Sequence, residues 1–176
     1  DARLAFTTDT VYFDTIFTTI GTITKSFRVH NMNDRYIKID EISLAGGTQS
    51  VFRMNVDGKT GDKITGYELA PHDSMWIFVE ATLGDNGVND ILRIQDSITF
   101  SVNGNLQDVD LVAWGQDVHI LKDYVIESSE TWTVDKPYLV VGYVWVDTLQ
   151  TLTMESGVKV HMHRDSWIFV NGSLKM

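Results

Sequence analysis

The sequence contains no cysteine, which excludes disulfides, thiolate metal sites and cysteine nucleophiles outright. That absence leaves the redox compartment open, because secreted proteins without disulfides are common. Cations are scarce as well: 14 Lys and Arg stand against 24 Asp and Glu, a formal charge of −10. Such a balance repels a phosphate backbone, so neither nucleic acid nor an anionic membrane surface is expected as a partner. No apolar run approaches the ~20 residues that span a bilayer, so no membrane insertion is expected within this chain. Nothing at the start reads as a signal peptide. The first residue is Asp1 rather than Met, so the missing targeting signal does not argue for the cytoplasm. Helical periodicity is nearly absent too.

What is present is a succession of short β-branched and aromatic runs separated by Gly, Asn and Asp, which predicts an all-β chain. Residues 98–102 alternate cleanly, with Ile98, Phe100 and Val102 on one face and Thr99 and Ser101 on the other. The turn sequence Asn103–Gly104–Asn105 follows, and then Val109, Leu111 and Ala113 alternate with Asp108 and Asp110, which predicts a hairpin. Phe27 and Val29 alternate with Ser26, Arg28 and His30. Ile37 and Ile39 alternate until the phase slips at Ile42 and Leu44, which a bulge near Glu41 would explain. Met75–Val79 is apolar on both faces and reads as a central strand covered on both sides, or one that meets a neighbouring domain. Seven to nine strands before residue 116 suit an immunoglobulin-like sandwich, with Phe27, Val29, Ile77, Ile98, Phe100, Val109 and Leu111 in its core.

From Asp117 the texture changes. We expect two regions, an immunoglobulin-like β-sandwich over 1–120 and a truncated β-rich or β-helix-like region over 121–176, with the polar stretch Glu127–Glu130 near the joint. Glycines at Gly142, Gly157 and Gly172 suggest a repeat of fifteen residues, as in the coils of a parallel β-helix. The pattern is interrupted at Met176, so the natural protein is expected to continue. An open C-terminal edge would leave strands available for self-association. Trp132, Pro137, Tyr138 and Tyr143 are expected to pack the start of the second region against the sandwich.

Two resemblances can be stated on these residues. Residues 22–31, Ile37–Lys38–Ile39 with Ile42, residues 69–74 leading into Ile77 and Val79, and Gly104 with Leu111, Ala113 and Gly115 resemble bacterial immunoglobulin-like domains related to the hydin and major-sperm-protein group. That likeness covers about residues 10–116 and implies a fold without catalytic residues. Residues 149–160 followed by 166–174 look like the first coils of a right-handed parallel β-helix. The combination resembles surface lipoproteins of Bacteroidetes, which implies an extracytoplasmic location at the cell surface or attached to the outer membrane.

Several motifs invite a chemical reading. His161–Met162–His163 sets two imidazoles on one face of a strand, and with Asp165 could offer zinc three ligands; exposed alternation explains the pair equally well, and no metal or other cofactor is expected. Residues 85–90 supply oxygen ligands around a glycine but lack the later glutamate of a calcium loop, so a strand connection is the better reading. The Gly-Lys-Thr within residues 57–62 lacks the spacing of a phosphate loop and reads as a hairpin turn. No Gly-x-Ser-x-Gly elbow exists, so nucleophilic catalysis is not expected. Five tryptophans remain. Trp76 and Trp114 fall in sandwich strands, whereas Trp132, Trp145 and Trp167, with His161 and His163, are the candidate contact surface. The expected function is a non-enzymatic cell-surface binding, adhesion or scaffolding module for an unknown protein or glycan. The alternative is the non-catalytic front part of a polysaccharide-degrading β-helix enzyme.

Overall fold

The computed structural model describes residues 3–17, 24–83 and 92–176. Among these, the only helical element is a three-residue 3₁₀ turn, Gly47–Gln49. The chain divides into two compact units, one ending at Gln116 and the other running from Asp117 to Met176. The division therefore falls before the polar stretch Glu127–Glu130, which lies inside the second unit.

The first unit holds ten strands: β1 (Ala5–Phe6), β2 (Thr10–Phe17), β3 (Lys25–His30), β4 (Ile37–Leu44), β5 (Phe52–Val56), β6 (Lys59–Gly61), β7 (Lys63–Leu69), β8 (Ser74–Ala81), β9 (Leu92–Val102) and β10 (Asn105–Gln116). They form two five-stranded sheets, in the orders β1-β3-β8-β5-β6 and β2-β10-β9-β4-β7. This is an immunoglobulin-like sandwich. Apolar residues of period two face inward from both sheets, and all seven core residues expected from the sequence are at most 2% exposed. Phe13 and Phe52 meet in that core with ring centroids 5.5 Å apart. The β9–β10 hairpin turns at Asn103 and Gly104, both at positive φ, where Asn and Gly are tolerated. Asp57 and Gly58 make the same kind of turn between β5 and β6.

Two local expectations are corrected here. The phase slip in β4 is real, but its register with β7 is the same on both sides of Asp40. Both strands kink together opposite Gly66, whose φ of +65° only glycine adopts easily, so no bulge is needed. β8 is central in its sheet and buries Met75, Ile77, Val79 and Ala81, but Trp76 and Phe78 on its other face are about 40% exposed. The aromatic side of that strand is held by neighbours on its own sheet, with Arg28 4.1 Å over the Trp76 ring.

The sandwich also contains a buried polar knot. Asn31, fully buried, donates from Nδ2 to the carbonyls of Arg35, Leu69 and Ala70 at 2.8–3.1 Å, and its Oδ1 accepts from the Asn33 amide at 2.9 Å. One side chain thus ties the loop after β3 to the turn that separates β7 from β8.

In the second unit the pairing is parallel throughout. It holds β11 (His119–Ile126), β12 (Glu130–Trp132), β13 (Tyr138–Val146), β14 (Thr151–Met154), β15 (Val160–Met162), β16 (Trp167–Val170) and β17 (Ser173–Lys175). β13 pairs with β11 on one side and with β15 and β16 on the other, while β14 lies between β12 and β17. The chain therefore winds in stacked coils joined by parallel pairing. The expected period of fifteen does not hold. β12–β14, β13–β15 and β14–β17 each pair residues twenty-two apart, while His119 pairs with Tyr138 at nineteen and Tyr143 with Trp167 at twenty-four, so every interval is longer than the glycine spacing. The three glycines are not equivalent positions: Gly142 lies within β13, Gly157 after β14 and Gly172 between β16 and β17.

What does recur is a left-handed corner, at Asp123 (φ 49°), Gly142 (φ 79°) and Asp165 (φ 60°). It falls where the register shifts within β11 and where β13 passes from pairing with β15 to pairing with β16. A Cβ at Gly142 would press on the carboxylate of Asp123, an exposed side chain that would have to turn aside. The Gly142 amide donates to Ser166 Oγ at 3.1 Å. Inside the coils, Ile126, Trp132, Tyr138, Val140, Val144, Val146 and Leu152 form a separate core.

Both the knot and the corner can be tested by single substitutions. Asn31→Ala takes a donor from the buried Leu69 carbonyl and from the part-buried carbonyls of Arg35 and Ala70, and is expected to cost about 2–3 kcal/mol in urea unfolding; a variant as stable as the parent would show the knot to be replaceable by water. Gly142→Ala places a side chain on a left-handed backbone and displaces the Asp123 carboxylate, and is expected to cost about 1–3 kcal/mol. That loss should be read in the melting of the second unit, with Trp132 emission as its reporter.

Candidate functional site

The stretch that follows each corner carries the candidate site. Parallel in-register pairing places equivalent residues of successive coils side by side on the same face. Val144 and Ile168 pair, as do Ile126, Val146 and Val170, and these occupy the inward phase. The alternating outward phase aligns Val125, Trp145 and Phe169 in one row and Tyr143 with Trp167 in a second. The Tyr143 and Trp167 rings stack at 5.3 Å, Trp145 and Phe169 lie 4.5 Å apart, and Trp167 meets Phe169 edge-on at 6.3 Å. Stacking between coils stabilises the ladder and also fixes the rings with little residual freedom. Trp167 and Phe169 remain 47% and 44% exposed. A concavity of about 440 Å³ is lined by Val125, Tyr143, Trp145, Asp147 and Trp167. Asp147 Oδ1 accepts the Thr148 amide at 2.7 Å, which leaves Oδ2 without a partner among the described residues.

Of the five expected contact residues, Trp145 and Trp167 lie on this face. Trp132 does not. It is 2% exposed, stacks at 4.5 Å on Tyr138, and donates from Nε1 to Glu130 Oε1 at 2.8 Å. Its burial is supplied by the second unit's own core, and Tyr143 turns to the outer row instead of joining it. His161 lies in β15 beside Leu139, whereas His163 falls past the end of that strand, its amide donating to the Val140 carbonyl at 2.8 Å. Asp165 lies beyond the strand, in a left-handed corner. No cluster of three or more His, Asp or Glu suited to a metal occurs among the described residues. Residues 85–90 lie outside the described residues. Phe169, Val125 and Asp147 were not expected as contact residues from the sequence, and Tyr143 was expected at the joint between the two regions instead. The signal for them was the pair of similar tetrads Tyr143–Val146 and Trp167–Val170, each aromatic-aliphatic-aromatic-valine.

Two polar groupings elsewhere bear on chemistry. At the first coil, His119 Nε2 and the Thr133 hydroxyl both bond the Asp135 carboxylate. The Thr133 hydroxyl, and after it His119, hold that carboxyl at about 2, below its ordinary 3.8. The depressed value means that the pair supports the fold above pH about 4, and that this support is lost as the pH falls toward about 2. Because the hydroxyl bonds the carboxylate and not the imidazole, the order is not that of an activated nucleophile. In the sandwich, a larger concavity of about 730 Å³ is lined by Thr24, Thr48, Arg53, Asn55, Phe78 and Glu80 among others. Its polar groups are largely spent on bracing the sheet. Thr24 donates to Glu80 at 2.6 Å, Arg53 Nη1 to the Ser50 and Phe52 carbonyls, and Asn55 Oδ1 accepts the Gly58 amide at 2.7 Å. The outer face of the second unit is thus the better candidate.

No family description matches the sequence, and no curated protein does. Among solved structures, the chain is similar to a family 123 glycoside hydrolase from Clostridium perfringens, at 4% identity and a TM-score of 0.46, over 70% of this chain and 31% of that one. The chain thus spans about a third of that enzyme's length. It is also similar to PapD-like domain 7 of human CEP192, at 9% identity and a TM-score of 0.40, over 66% of this chain and 85% of that one. A third likeness is to the CooA pilin subunit of enterotoxigenic Escherichia coli, at 9% identity and a TM-score of 0.42, over 65% of this chain and 97% of that one. At such identities no activity or partner passes from these proteins to this chain, and the immunoglobulin-like sandwich stands on its own strand pairing.

Proposed function

We propose that this chain is a non-enzymatic binding module of the cell envelope, in which the sandwich is a spacer and the coiled unit holds a saccharide-bearing ligand against its outer aromatic face. The observation that carries the reading is the double row of Tyr143, Trp145, Trp167 and Phe169 beside one carboxylate, Asp147, in a shallow concavity. Aromatic rings take the apolar C–H face of a sugar, and a carboxylate oxygen accepts from its hydroxyls. The formal charge of −10 disfavours a polyanionic ligand. The location outside the cytoplasm, and attachment to the outer membrane in the manner of Bacteroidetes surface lipoproteins, rest on the sequence resemblance and are part of the proposal.

Native affinity electrophoresis tests this reading, with hydroxyethyl cellulose as a neutral probe and polygalacturonate as an anionic one. The neutral polymer is expected to retard the chain and to shift its tryptophan emission, with Trp167→Ala weakening the effect at least about tenfold. The polyuronate is expected to do neither. Equal retardation of parent and Trp167→Ala would remove the site from the aromatic face. Release of an ultraviolet-absorbing unsaturated product from the polyuronate would replace the proposal with catalysis.

A further inference from the structure

The cavity of about 730 Å³ in the first unit is lined by charges that do not neutralise one another. Arg53 and Glu80 stand directly opposite in the register of β5 and β8, a placement in which unlike charges ordinarily pair. Here they turn apart. Arg53 aims Nη1 at the Ser50 and Phe52 carbonyls, and Glu80 aims Oε1 at the Thr24 hydroxyl. Each is held through one atom, which leaves Arg53 Nη2 and Glu80 Oε2 without a partner among the described residues. Asp62, partly buried, adds a second carboxylate to the lining, and its side chain too has no partner among the described residues. Phe78, on the same face of β8 as Glu80, supplies an apolar ring that is 40% exposed and stacks on Trp76 at 6.0 Å.

We propose that this cavity binds a free basic amino acid, its α-carboxylate on Arg53, its two ammonium groups on Glu80 and Asp62, and its aliphatic stem against Phe78. The charges of the lining select that class. An anion would cover the two carboxylates with nothing to pair them, a diamine would do the same to Arg53, and a neutral molecule would strand all three. Each of those losses of hydration goes uncompensated. A molecule with one carboxylate and two ammonium groups strands none of them, and the guanidinium fork suits its carboxylate. Its net positive charge also suits a chain of formal charge −10. The bonds from Arg53 and Glu80 to their neighbours hold both side chains in place before the ligand arrives, which lowers the ordering cost of binding. This site is separate from the aromatic face of the second unit and does not rest on the saccharide reading.

Isothermal titration calorimetry of the full chain with L-lysine tests the proposal, beside three analogues that each lack one charge. Nα-acetyl-L-lysine has no α-ammonium, cadaverine has no carboxylate, and L-norleucine has no ε-ammonium. L-Lysine is expected to bind saturably at one site, and each analogue at least about tenfold more weakly. Glu80→Gln keeps an acceptor for Thr24 while removing the charge, and is expected to weaken L-lysine binding at least about tenfold. Asp62→Asn is expected to do the same. Urea unfolding reports whether each variant keeps the sandwich, and the analogue series decides the matter on the parent chain alone. Absence of saturable heat with L-lysine overturns the proposal. So does equal affinity for L-lysine and any one of the analogues, or undiminished binding by both variants with the sandwich intact.

Discussion

The second unit depends on one corner. At Asp123, Gly142 and Asp165 the backbone turns through left-handed conformations, and it is this turn that lets each coil present two differently directed strand segments. Gly142 has the largest φ of the three, +79°, and the Asp123 carboxylate of the preceding coil rests where its Cβ would be. Beyond the corner, the in-register ladder carries Val144 and Val146 inward and Tyr143 and Trp145 outward. The core and the aromatic face are therefore two consequences of the same backbone constraint. A shift of one residue at the corner would exchange them.

The sandwich relies on a different device. Its sheets are held by a large apolar core, yet the loops at one end are pinned by a single amide, Asn31, which meets five hydrogen-bonding groups at once. Burial removes water as a competitor for those carbonyls, so the side chain sets the loop geometry as well as contributing stability. The concavity on the outer face of that unit shows the converse. There Arg53 and Asn55 are tied to the backbone beside them, and Glu80 to the Thr24 hydroxyl.

How much of this was legible in the sequence depended on the range of the pairing. The β9–β10 hairpin could be read because period-two alternation and an Asn-Gly turn are local signals. The seven core residues followed from the same alternation. Parallel coils are harder, because the pairing joins distant residues through corners and loops of unequal length, and evenly spaced glycines at 142, 157 and 172 mimicked a repeat that the register does not contain. Trp132 was expected both as a contact residue and as a ring buried at a joint; it is buried, but in the second unit's own core. Only its pairing with Met154 and its stack on Tyr138 settle that. Trp145 and Trp167 could be proposed as contact residues from composition, but their partners Tyr143 and Phe169 become visible only when the two tetrads are laid side by side.

The parallel pairing of β2 with β10 has a mechanical consequence. Tension transmitted along the polypeptide enters the sandwich near β2 and leaves it through β10, and because these strands run in the same direction the load falls on their hydrogen bonds in shear. Six residue pairs, from Asp110 with Thr10 to Gln116 with Phe17, would have to yield together instead of opening one after another like a zipper. A sandwich built in this way resists extension through geometry, independently of its equilibrium stability.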